Sequence, residues 1–223
     1  MWRWSASWGV AEMLPSREEW LAALEARHGK EAQARFSAAT VAVCGLGGLG
    51  SNVAIALARA GVGKLILLDF DRVDLTNLHR QQYRADQIGR YKTEAMAENL
   101  GRIAPYTELV THTVRLDRDN APGLLAGADV VCEAFDRPEQ KAMLTDVVME
   151  RLPGTCLVAA SGMAGFGSAN DIRTRRLTSR FYLCGDGTSD VAAGEGLLAA
   201  RVMVCAGHQA HMILRLLAEK PQP

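Results

Sequence analysis

The sequence has no excess of charge of either sign. Its 25 lysine and arginine residues balance 25 aspartate and glutamate residues, so the formal net charge is zero. A nucleic-acid-binding domain normally carries a basic excess, and attachment to an anionic membrane surface requires a polybasic segment. We therefore expect no nucleic acid partner and no charge-driven membrane partner.

Long apolar runs are also missing. No stretch approaches the roughly 18 uninterrupted apolar residues of a membrane-spanning helix. The first eight residues contain no apolar core long enough for a signal peptide. The sequence therefore predicts neither a membrane-spanning helix nor a signal peptide. Apolar residues make up 48% of the chain and charged residues 22%, as in an ordinary globular domain.

The five cysteines include no Cys-x-x-Cys pair. Three of them, Cys44, Cys132 and Cys156, lie in apolar, strand-like runs, and an odd number argues against a disulfide framework. We interpret these three as buried thiols of a protein in the reducing cytoplasm.

Apolar runs alternate with helical patterns along the chain. Strands are predicted at residues 40–44, 64–69, 109–113, 128–132 and 155–160, and helices at residues 16–28, 31–36, 52–60, 92–103 and 138–151. Because the strands are apolar without alternation, both faces of the sheet are expected to be covered. The repeated strand–helix order indicates a Rossmann-like α/β fold with an open, mostly parallel sheet and helices on both faces.

Three segments are predicted within this single domain. Residues 1–38 form an N-terminal helical extension, in which Ser16 and Glu19 have the spacing of a capping box. Residues 39–161 form the nucleotide-binding core. Residues 162–223 add a short antiparallel β extension (strands at 171–175 and 181–183), a flexible glycine-rich loop at 186–196 and a C-terminal helix at 197–217.

A glycine cluster lies between the first strand and the helix that follows it. Gly45, Gly47 and Gly48 form this turn, and the second strand ends in Asp69. Such an arrangement places a nucleotide phosphate at the helix N-terminus and the acidic residue near a ribose. At Gly47 and Gly48 the backbone can approach the nucleotide because no Cβ intervenes. The glycines alone are compatible with a redox dinucleotide as well as with ATP.

Polar and cationic residues after Asp69 favour a triphosphate. Asn77, Arg80 and Lys92 follow closely, with Gln81 and Gln82 beside them. A nicotinamide ring needs an apolar slot, whereas a triphosphate needs cations and an amide. Asp136 follows a strand that should end at the same sheet edge as the first, where it could hold Mg²⁺. Asp136 could instead cap the next helix.

These residues resemble the motifs of the ThiF/MoeB/HesA family, the bacterial relatives of ubiquitin-activating enzymes. The similar segments read Gly-Leu-Gly-Gly-Leu-Gly-Ser at 45–51, Leu-Leu-Asp-Phe-Asp-x-Val-Asp-x-x-Asn-Leu-x-Arg-Gln at 67–81 and Gly-x-x-Lys at 89–92. The resemblance covers roughly residues 36–217. Cys-Glu-Ala-Phe-Asp at 132–136 and Ala-Ser-Gly-Met-Ala-Gly at 160–165 are most similar to the short ThiF-type members associated with thiamine biosynthesis.

The resemblance implies an adenylyltransferase. Such enzymes use ATP and Mg²⁺ to activate the C-terminal glycine carboxylate of a ubiquitin-like sulfur carrier protein with a Gly-Gly terminus, and they release pyrophosphate. A cytoplasmic homodimer is implied as well. The implied nucleotide-binding residues are Gly45, Gly47, Gly48, Asp69, Asp71, Asn77, Arg80 and Lys92; the implied catalytic residues are Arg80, Lys92, Asp136 and Cys184, with Mg²⁺ on Asp136. In these roles Asp69 accepts hydrogen bonds from the ribose hydroxyl groups, and Asp71 either contacts the ligand or braces the loop in which Asp71 itself lies.

The sequence departs from the family pattern in two places. The Cys-x-x-Cys pairs with which many members hold zinc are missing, so we expect no structural zinc. The N-terminal Arg-Tyr-x-Arg-Gln motif is missing too, and Arg17 and Arg27 are candidates to replace its arginine.

Cys184 lies immediately before the glycine-rich loop, in a region where related enzymes carry a cysteine that takes the activated carrier. The glycines beside it predict an accessible, nucleophilic thiol, and a structural thiol is the alternative. His208 and His211 share one face of the final helix and are interpreted as core or interface residues, since no third ligand is evident.

Other functions stay open at this point. A relative of this kind could adenylate a small molecule or a tRNA-linked carboxylate. It could also bind ATP without turnover and dock a ubiquitin-like partner. A nicotinamide-dependent dehydrogenase is disfavoured by the cations that follow Asp69.

Overall fold

A computed structural model describes residues 14–219. Its strands are β1 (Thr40–Cys44), β2 (Lys64–Leu68), β3 (Glu108–His112), β4 (Val130–Glu133), β5 (Cys156–Ala160), β6 (Arg173–Arg176) and β7 (Phe181–Gly185). Its α-helices are α1 (Arg17–His28), α2 (Lys30–Ala38), α3 (Gly48–Arg59), α4 (Lys92–Ile103), α5 (Ala121–Leu124), α6 (Pro138–Arg151) and α7 (Ala199–Leu217).

The first helix begins and ends where its sequence signals lie. Ser16 Oγ accepts a hydrogen bond from the Glu19 amide at 3.2 Å, and the Glu19 carboxylate accepts from the Ser16 amide at 2.8 Å. This is the predicted capping box, which satisfies two amides that the helix leaves without partners. The helix ends at Gly29, whose φ of +85° is accessible to glycine at little cost.

All seven strands join one sheet in the order β3-β2-β1-β4-β5-β7-β6. Every neighbouring pair is parallel except β6 and β7, which are antiparallel. The predicted fold class is therefore confirmed, including the short antiparallel extension. Because β1 is flanked by β2 on one side and β4 on the other, the strand order reverses between β1 and β4. Open parallel sheets bind ligands at such a reversal.

Both faces of the sheet are covered, as the apolar strands predicted. Val41 and Val43 of β1 belong to one buried cluster, and Ala42 and Cys44 to another, because successive side chains of a strand point to opposite faces. The first cluster includes residues of α3, α4 and α7, and the second includes residues of α5 and α6.

Two predicted strands begin two residues later in the structure. The strand expected at 128–132 runs over Val130–Glu133, so Glu133 is the last residue of β4 and is fully buried. Asp129 instead accepts a hydrogen bond from the Thr40 amide at 2.8 Å. The strand expected at 171–175 begins later, at Arg173, because Ser168 caps a 3-10 turn at Ala169–Asp171.

Burial of the cysteines follows the prediction in two of the three positions. Cys44 and Cys132 are fully buried, whereas Cys156, at the start of β5, is only partly buried. None of the described helices combines the length and the hydropathy needed to cross a membrane.

Candidate active site

A cavity of about 550 Å³ opens at the carboxyl ends of the strands, over the point where the strand order reverses. It is lined by the loops that follow β1, β2, β3, β4, β5 and β7. Sequence reasoning named ten site residues, and all but Cys184 line this cavity: Gly45, Gly47, Gly48, Asp69, Asp71, Asn77, Arg80, Lys92 and Asp136.

The glycine turn forms the floor of the cavity. Gly45 has a φ of +89°, and a Cβ there would lie 2.8 Å from the carbonyl oxygen of Ala134. A Cβ at Gly50 would collide with the carbonyl oxygen of Gly45. Gly47 precedes α3 without a side-chain cap, so first-turn amides of α3 face the cavity without a capping acceptor. A helix N-terminus of this kind binds anions.

Asp69 ties the glycine turn to the end of β2. Its carboxylate accepts from the amide of Leu46 at 2.6 Å and from the amide of Asp71 at 2.7 Å. The side chain is 7% exposed, and burial raises its pKa against the opposing effects of Lys92 and the two amides. The expected ribose contact stays a prediction, since these two amides occupy part of the acceptor capacity of Asp69.

Lys92 is buried rather than displayed on the surface. It is the first residue of α4 and is 5% exposed, and its ammonium lies 2.9 Å from Asp71 Oδ2 and 3.8 Å from Asp69 Oδ2. Asp71 thus holds the lysine at the cavity wall, and since Asp71 lines the cavity as well, its contact with the ligand stays a prediction. The ammonium has three N–H groups, so it can bind a further anion without leaving Asp71.

The loop after β2 presents an amide and a guanidinium to the cavity. Asn77 ends a 3-10 turn at Leu75–Asn77, which Asp74 caps by accepting from the Thr76 amide at 2.8 Å. Burial lowers the pKa of Arg80, and the nearby Asp136 carboxylate opposes this shift. Arg80 and Asp136 both line the cavity.

Of the two neighbouring glutamines, one faces the cavity and the other does not. Gln81 lines it, is 7% exposed, and its Oε1 has no hydrogen-bond partner among the described residues. Gln82 turns away and binds the side chain of Asn52 at 2.8 Å. Gln81 stands in the quoted motif, but the sequence could not tell which of two adjacent amides would point inward.

Asp136 lies on a turn that a buried ion pair holds. It is exposed, and α6 starts after Arg137 with no side-chain cap bond, so the structure does not use Asp136 as a helix cap. Glu133 accepts from the amide of Phe135 at 2.7 Å, and Lys141 lies 2.9 Å from its carboxylate.

Lys141 also joins two loops of the site. Its ammonium donates to the carbonyl oxygen of Ala160 at 2.9 Å and thereby connects the turn after β4 with the end of β5. Burial raises the pKa of Glu133, which Lys141 opposes. Sequence reasoning missed this pair. The available signal was an acidic residue ending a buried strand, followed by a lysine in the first turn of the next helix.

Cys184 does not line the cavity. It lies in β7, its exposure is 0%, and its Sγ is 3.5 Å from Thr174 Oγ1. Burial raises the pKa of the thiol to about 11, although Thr174 opposes the shift. The expectation of an accessible thiol is therefore wrong, because β7 packs this side chain beneath α7 and not beside the loop. The position of Cys184 is that of a structural thiol, and its covalent role stays an untested prediction.

The two histidines of α7 lie apart from the cavity lining. Nδ1 of the partly buried His208 lies 3.0 Å from Thr174 Oγ1, and His211 is exposed. Within residues 14–219, no group of three His, Cys, Asp or Glu side chains is arranged to hold a metal ion.

Arg17 and Arg27 do not reach the cavity of their own chain. Both lie on α1, where Trp20 packs against Tyr106, with ring centres 6.3 Å apart. Tyr106 lies just before the amino-terminal end of β3, whereas the cavity lies at the carboxyl ends of the strands. Two arginines that sequence reasoning did not name, Arg115 and Arg137, line the cavity instead.

Small residues form the remaining wall. Two loops contribute it, at residues 161–164 after β5 and 187–191 after β7. Asp186 joins them: its amide donates to the carbonyl oxygen of Gly162 at 3.0 Å, and its carboxylate accepts from the amide of Ser189 at 2.9 Å and from Arg201 of α7 at 2.6 Å. Burial acts against the charged form, but these hydrogen bonds hold the pKa of Asp186 well below its usual range.

Curated relatives match over about three fifths of the chain. The adenylyltransferase and sulfurtransferase MOCS3 of Caenorhabditis briggsae is 36% identical over 137 residues, which is 60% of this chain and 33% of that protein. The adenylyltransferase and sulfurtransferase uba4 of Aspergillus fumigatus is 36% identical over 136 residues, 60% of this chain and 27% of that protein. The match thus spans about a third of the length of these relatives or less.

Solved structures share the fold at lower identity. The tRNA N6-threonylcarbamoyladenosine dehydratase TcdA of E. coli, in complex with ATP, superposes with a TM-score of 0.82 at 24% identity, over 93% of this chain and 98% of that one. MccB of E. coli superposes with a TM-score of 0.66 at 21% identity, over 86% of this chain and 60% of that one.

The family assignment rests on a longer match. The sequence profile of the ThiF family matches residues 21–223, which include every strand of the sheet and every residue of the cavity named above. This confirms the resemblance that the motifs indicated. The chain belongs to the ThiF family.

Proposed function

We propose that this chain is an ATP-dependent adenylyltransferase that activates the C-terminal glycine carboxylate of a ubiquitin-like sulfur carrier protein. The observation that carries the proposal is the convergence of the glycine turn, Asn77, Arg80, Lys92 and Asp136 on one cavity. An open helix N-terminus, two cations, an amide and an exposed carboxylate are the groups that a magnesium-bound triphosphate requires.

The two ends of the cavity differ in character, which supports one orientation of the nucleotide. Phe70 and Leu116, in the loops after β2 and β3, provide apolar side chains at one end, and the guanidinium carbon of Arg115 lies 5.9 Å from the Phe70 ring centre. A purine fits this end, with its ribose at Asp69. The triphosphate then runs across the glycine turn from β2 towards β4, where Asp136 lies.

The reaction places negative charge where the cations lie. A carboxylate oxygen of the carrier attacks the α-phosphorus, the bond from that phosphorus to the β-phosphate oxygen breaks, and pyrophosphate leaves with the electron pair. Arg80 and Lys92 offset the charge on the phosphates, and Asn77 orients them by neutral hydrogen bonds. No covalent bond to the protein is needed, because positioning and charge supply the rate.

Asp136 fits the role of magnesium ligand. Mg²⁺ usually binds through one or two carboxylates together with substrate phosphates, and Asp136 is an exposed carboxylate at the phosphate end of the cavity. A bound Mg²⁺ ion would neutralise phosphate charge. The Glu133–Lys141 pair holds the turn that carries Asp136 and keeps its carboxylate at this end.

The wall of small residues supports a narrow, extended substrate. Ser161, Gly162 and Ala164 line the cavity beside Gly187 and Ser189, and the amides of Gly187 and Ala164 join the two loops by donating to the Ser161 carbonyl oxygen and to Ser189 Oγ, each at 3.0 Å. A Gly-Gly tail has no side chains to accommodate and can lie along this wall of small residues to reach the α-phosphate. The names of the curated relatives support adenylyl transfer. A place in thiamine biosynthesis and a homodimeric assembly belong to this proposal and rest on the resemblance to short ThiF-type members.

One alternative has an observation in its favour. The edge strand β6 carries Arg173, Arg175 and Arg176, all exposed, and the TcdA structure that this chain superposes on is that of a tRNA-modifying enzyme. A tRNA-linked carboxylate is therefore the second candidate substrate. Retention of tRNA that weakens steeply with salt, together with tRNA-dependent pyrophosphate exchange, would favour it.

The proposal is tested by ATP–pyrophosphate exchange with a ubiquitin-like carrier that ends in Gly-Gly. We expect exchange that depends on the carrier and disappears when its two terminal glycines are deleted. Asp136→Asn should abolish exchange, whereas Asp119→Asn, at an exposed position outside the cavity, should retain it. Absence of carrier-dependent exchange in the wild-type protein would refute the proposal.

A further inference from the structure

Some cationic side chains of the cavity have a carboxylate partner and others have none among the described residues. Five line it: Arg80, Lys92, Arg115, Arg137 and Lys141. Lys92 is paired with Asp71 and Lys141 with Glu133, and the Asp136 carboxylate raises the pKa of Arg80 against the effect of burial. A nucleoside triphosphate carries more negative charge than these three cations offset beside their carboxylates, so the two remaining arginines add positive charge to the site.

Arg137 is one of the two. It is exposed at the cavity rim, and its side chain forms no hydrogen bond or ion pair with any residue in the range 14–219. It directly follows Asp136 and stands at the N-cap of α6. Pro138 at the first position of α6 and the Glu133–Phe135 hydrogen bond hold the backbone on either side of it.

Arg115, the other one, lies at the opposite end. It follows β3, whereas Arg137 follows β4, and the sheet order β3-β2-β1-β4 separates these strands by β2 and β1. Arg115 is also directed to the Phe70 ring. The glycine turn after β1 lies between them, so a nucleotide with its base near Phe70 extends its outer phosphates towards Arg137.

We propose that Arg137 binds the β- and γ-phosphates of ATP and stabilises the departing pyrophosphate from within the same chain. This rests on the proposed function, because it requires a triphosphate in the cavity. When the bond from the α-phosphorus to the bridging oxygen breaks, the electron pair stays on the pyrophosphate oxygen. The guanidinium fork donates two parallel hydrogen bonds to phosphate oxygens and transfers no proton.

The proposal separates ATP from AMP, since AMP lacks the phosphates that Arg137 would contact. Isothermal titration with ATP and Mg²⁺, and separately with AMP, measures this directly. We expect Arg137→Ala to weaken ATP binding about 10- to 100-fold, the size of a lost charge-assisted hydrogen bond. Its affinity for AMP should stay within about twofold of the wild-type protein. Arg137→Lys should recover part of the loss, because it keeps the charge without the fork.

Two further variants make the comparison specific. Arg59→Ala removes an exposed arginine from the last turn of α3, at the end away from the cavity, and should change neither affinity. Arg115→Ala should weaken ATP and AMP equally, because both contain the base. Unchanged AMP binding also shows that the Arg137→Ala protein is folded.

The outcomes distinguish this inference from the proposed function. Wild-type protein that binds neither nucleotide refutes both. Wild-type protein that binds ATP, with Arg137→Ala showing no loss or an equal loss for ATP and AMP, overturns the role of Arg137 and leaves the proposed function standing. Selective loss of ATP binding supports it, and a parallel fall in pyrophosphate-exchange rate places the effect on the leaving group.

Discussion

Removing Lys141 should destabilise the protein in a way that depends on pH. Its ammonium is the counter-ion of Glu133, whose side chain is 0% exposed. Lys141→Met keeps the length of the side chain and leaves the carboxylate buried without its partner. Breaking a buried ion pair typically costs about 3–5 kcal/mol, and we expect about 3 kcal/mol at pH 8, since Lys141 is 27% exposed.

The sign of the pH effect follows from the direction of the pKa shift. Burial raises the pKa of Glu133 in the folded protein, and loss of Lys141 removes the main opposing influence. A carboxyl group with a raised folded pKa binds its proton more tightly in the folded state, so its effect on stability worsens as pH rises through the window between the unfolded and folded values. At about pH 5, close to the unfolded pKa of glutamate, the variant should be distinctly less destabilised than at pH 8.

Urea unfolding followed by circular dichroism at the two pH values measures this difference. Glu133→Gln combined with Lys141→Met should recover much of the stability at pH 8, because no buried charge remains. The reasoning fails if Lys141→Met costs the same free energy at both pH values, or if the double variant is no more stable than Lys141→Met alone.

Three other perturbations test separate parts of the site. Cys184→Ala should retain pyrophosphate exchange, and Cys184 should resist iodoacetamide at pH 8 by mass spectrometry, because its thiol is buried with a pKa of about 11; rapid labelling of the folded protein would contradict this. Gly50→Ala should lower the free energy of unfolding by about 1–3 kcal/mol and abolish ATP binding, because the new Cβ collides with the glycine turn. Its control is Gly101→Ala in α4, where the new Cβ meets open space; thermal melts should show this variant to be about 0.5–1 kcal/mol more stable than the wild-type protein. Asp186→Asn should destabilise the protein at neutral pH, and progressively less as pH falls below the ordinary pKa of aspartate. The reason is that the lowered pKa of Asp186 stabilises the folded state fully only at pH values above the ordinary aspartate pKa. A loss of unfolding free energy that grows towards low pH in urea unfolding would refute this.

Local signals in the sequence were sufficient for most elements. The capping box at Ser16, the proline that starts α6 and the unbroken apolar run of β1 each act over a few residues, so the structure matches the predicted bounds closely. The Asp69–Gln81 segment and the glycine turn also identified the phosphate end of the cavity, because parallel strands place their carboxyl ends together.

Contacts between distant segments could not be predicted in this way. Cys184 looked accessible because glycines follow it, but accessibility depends on α7, which begins 15 residues later and packs over β7. Arg17 and Arg27 were candidates to replace the missing arginine of the motif, but α1 packs against Tyr106 and therefore lies at the amino-terminal end of the sheet, away from the cavity.

The amino-acid sequence by itself determined the family and the order of strands and helices, and nine of the ten residues that it proposed for the site line the cavity. These follow from hydrophobic periodicity, turn chemistry and short motifs, which act locally along the chain. Only the tertiary structure decided which charges are already balanced. Lys92 and Lys141 are paired, Cys184 is buried and the Arg137 side chain has no partner within residues 14–219, because ion pairing and burial depend on residues that the sheet brings together across its strand order.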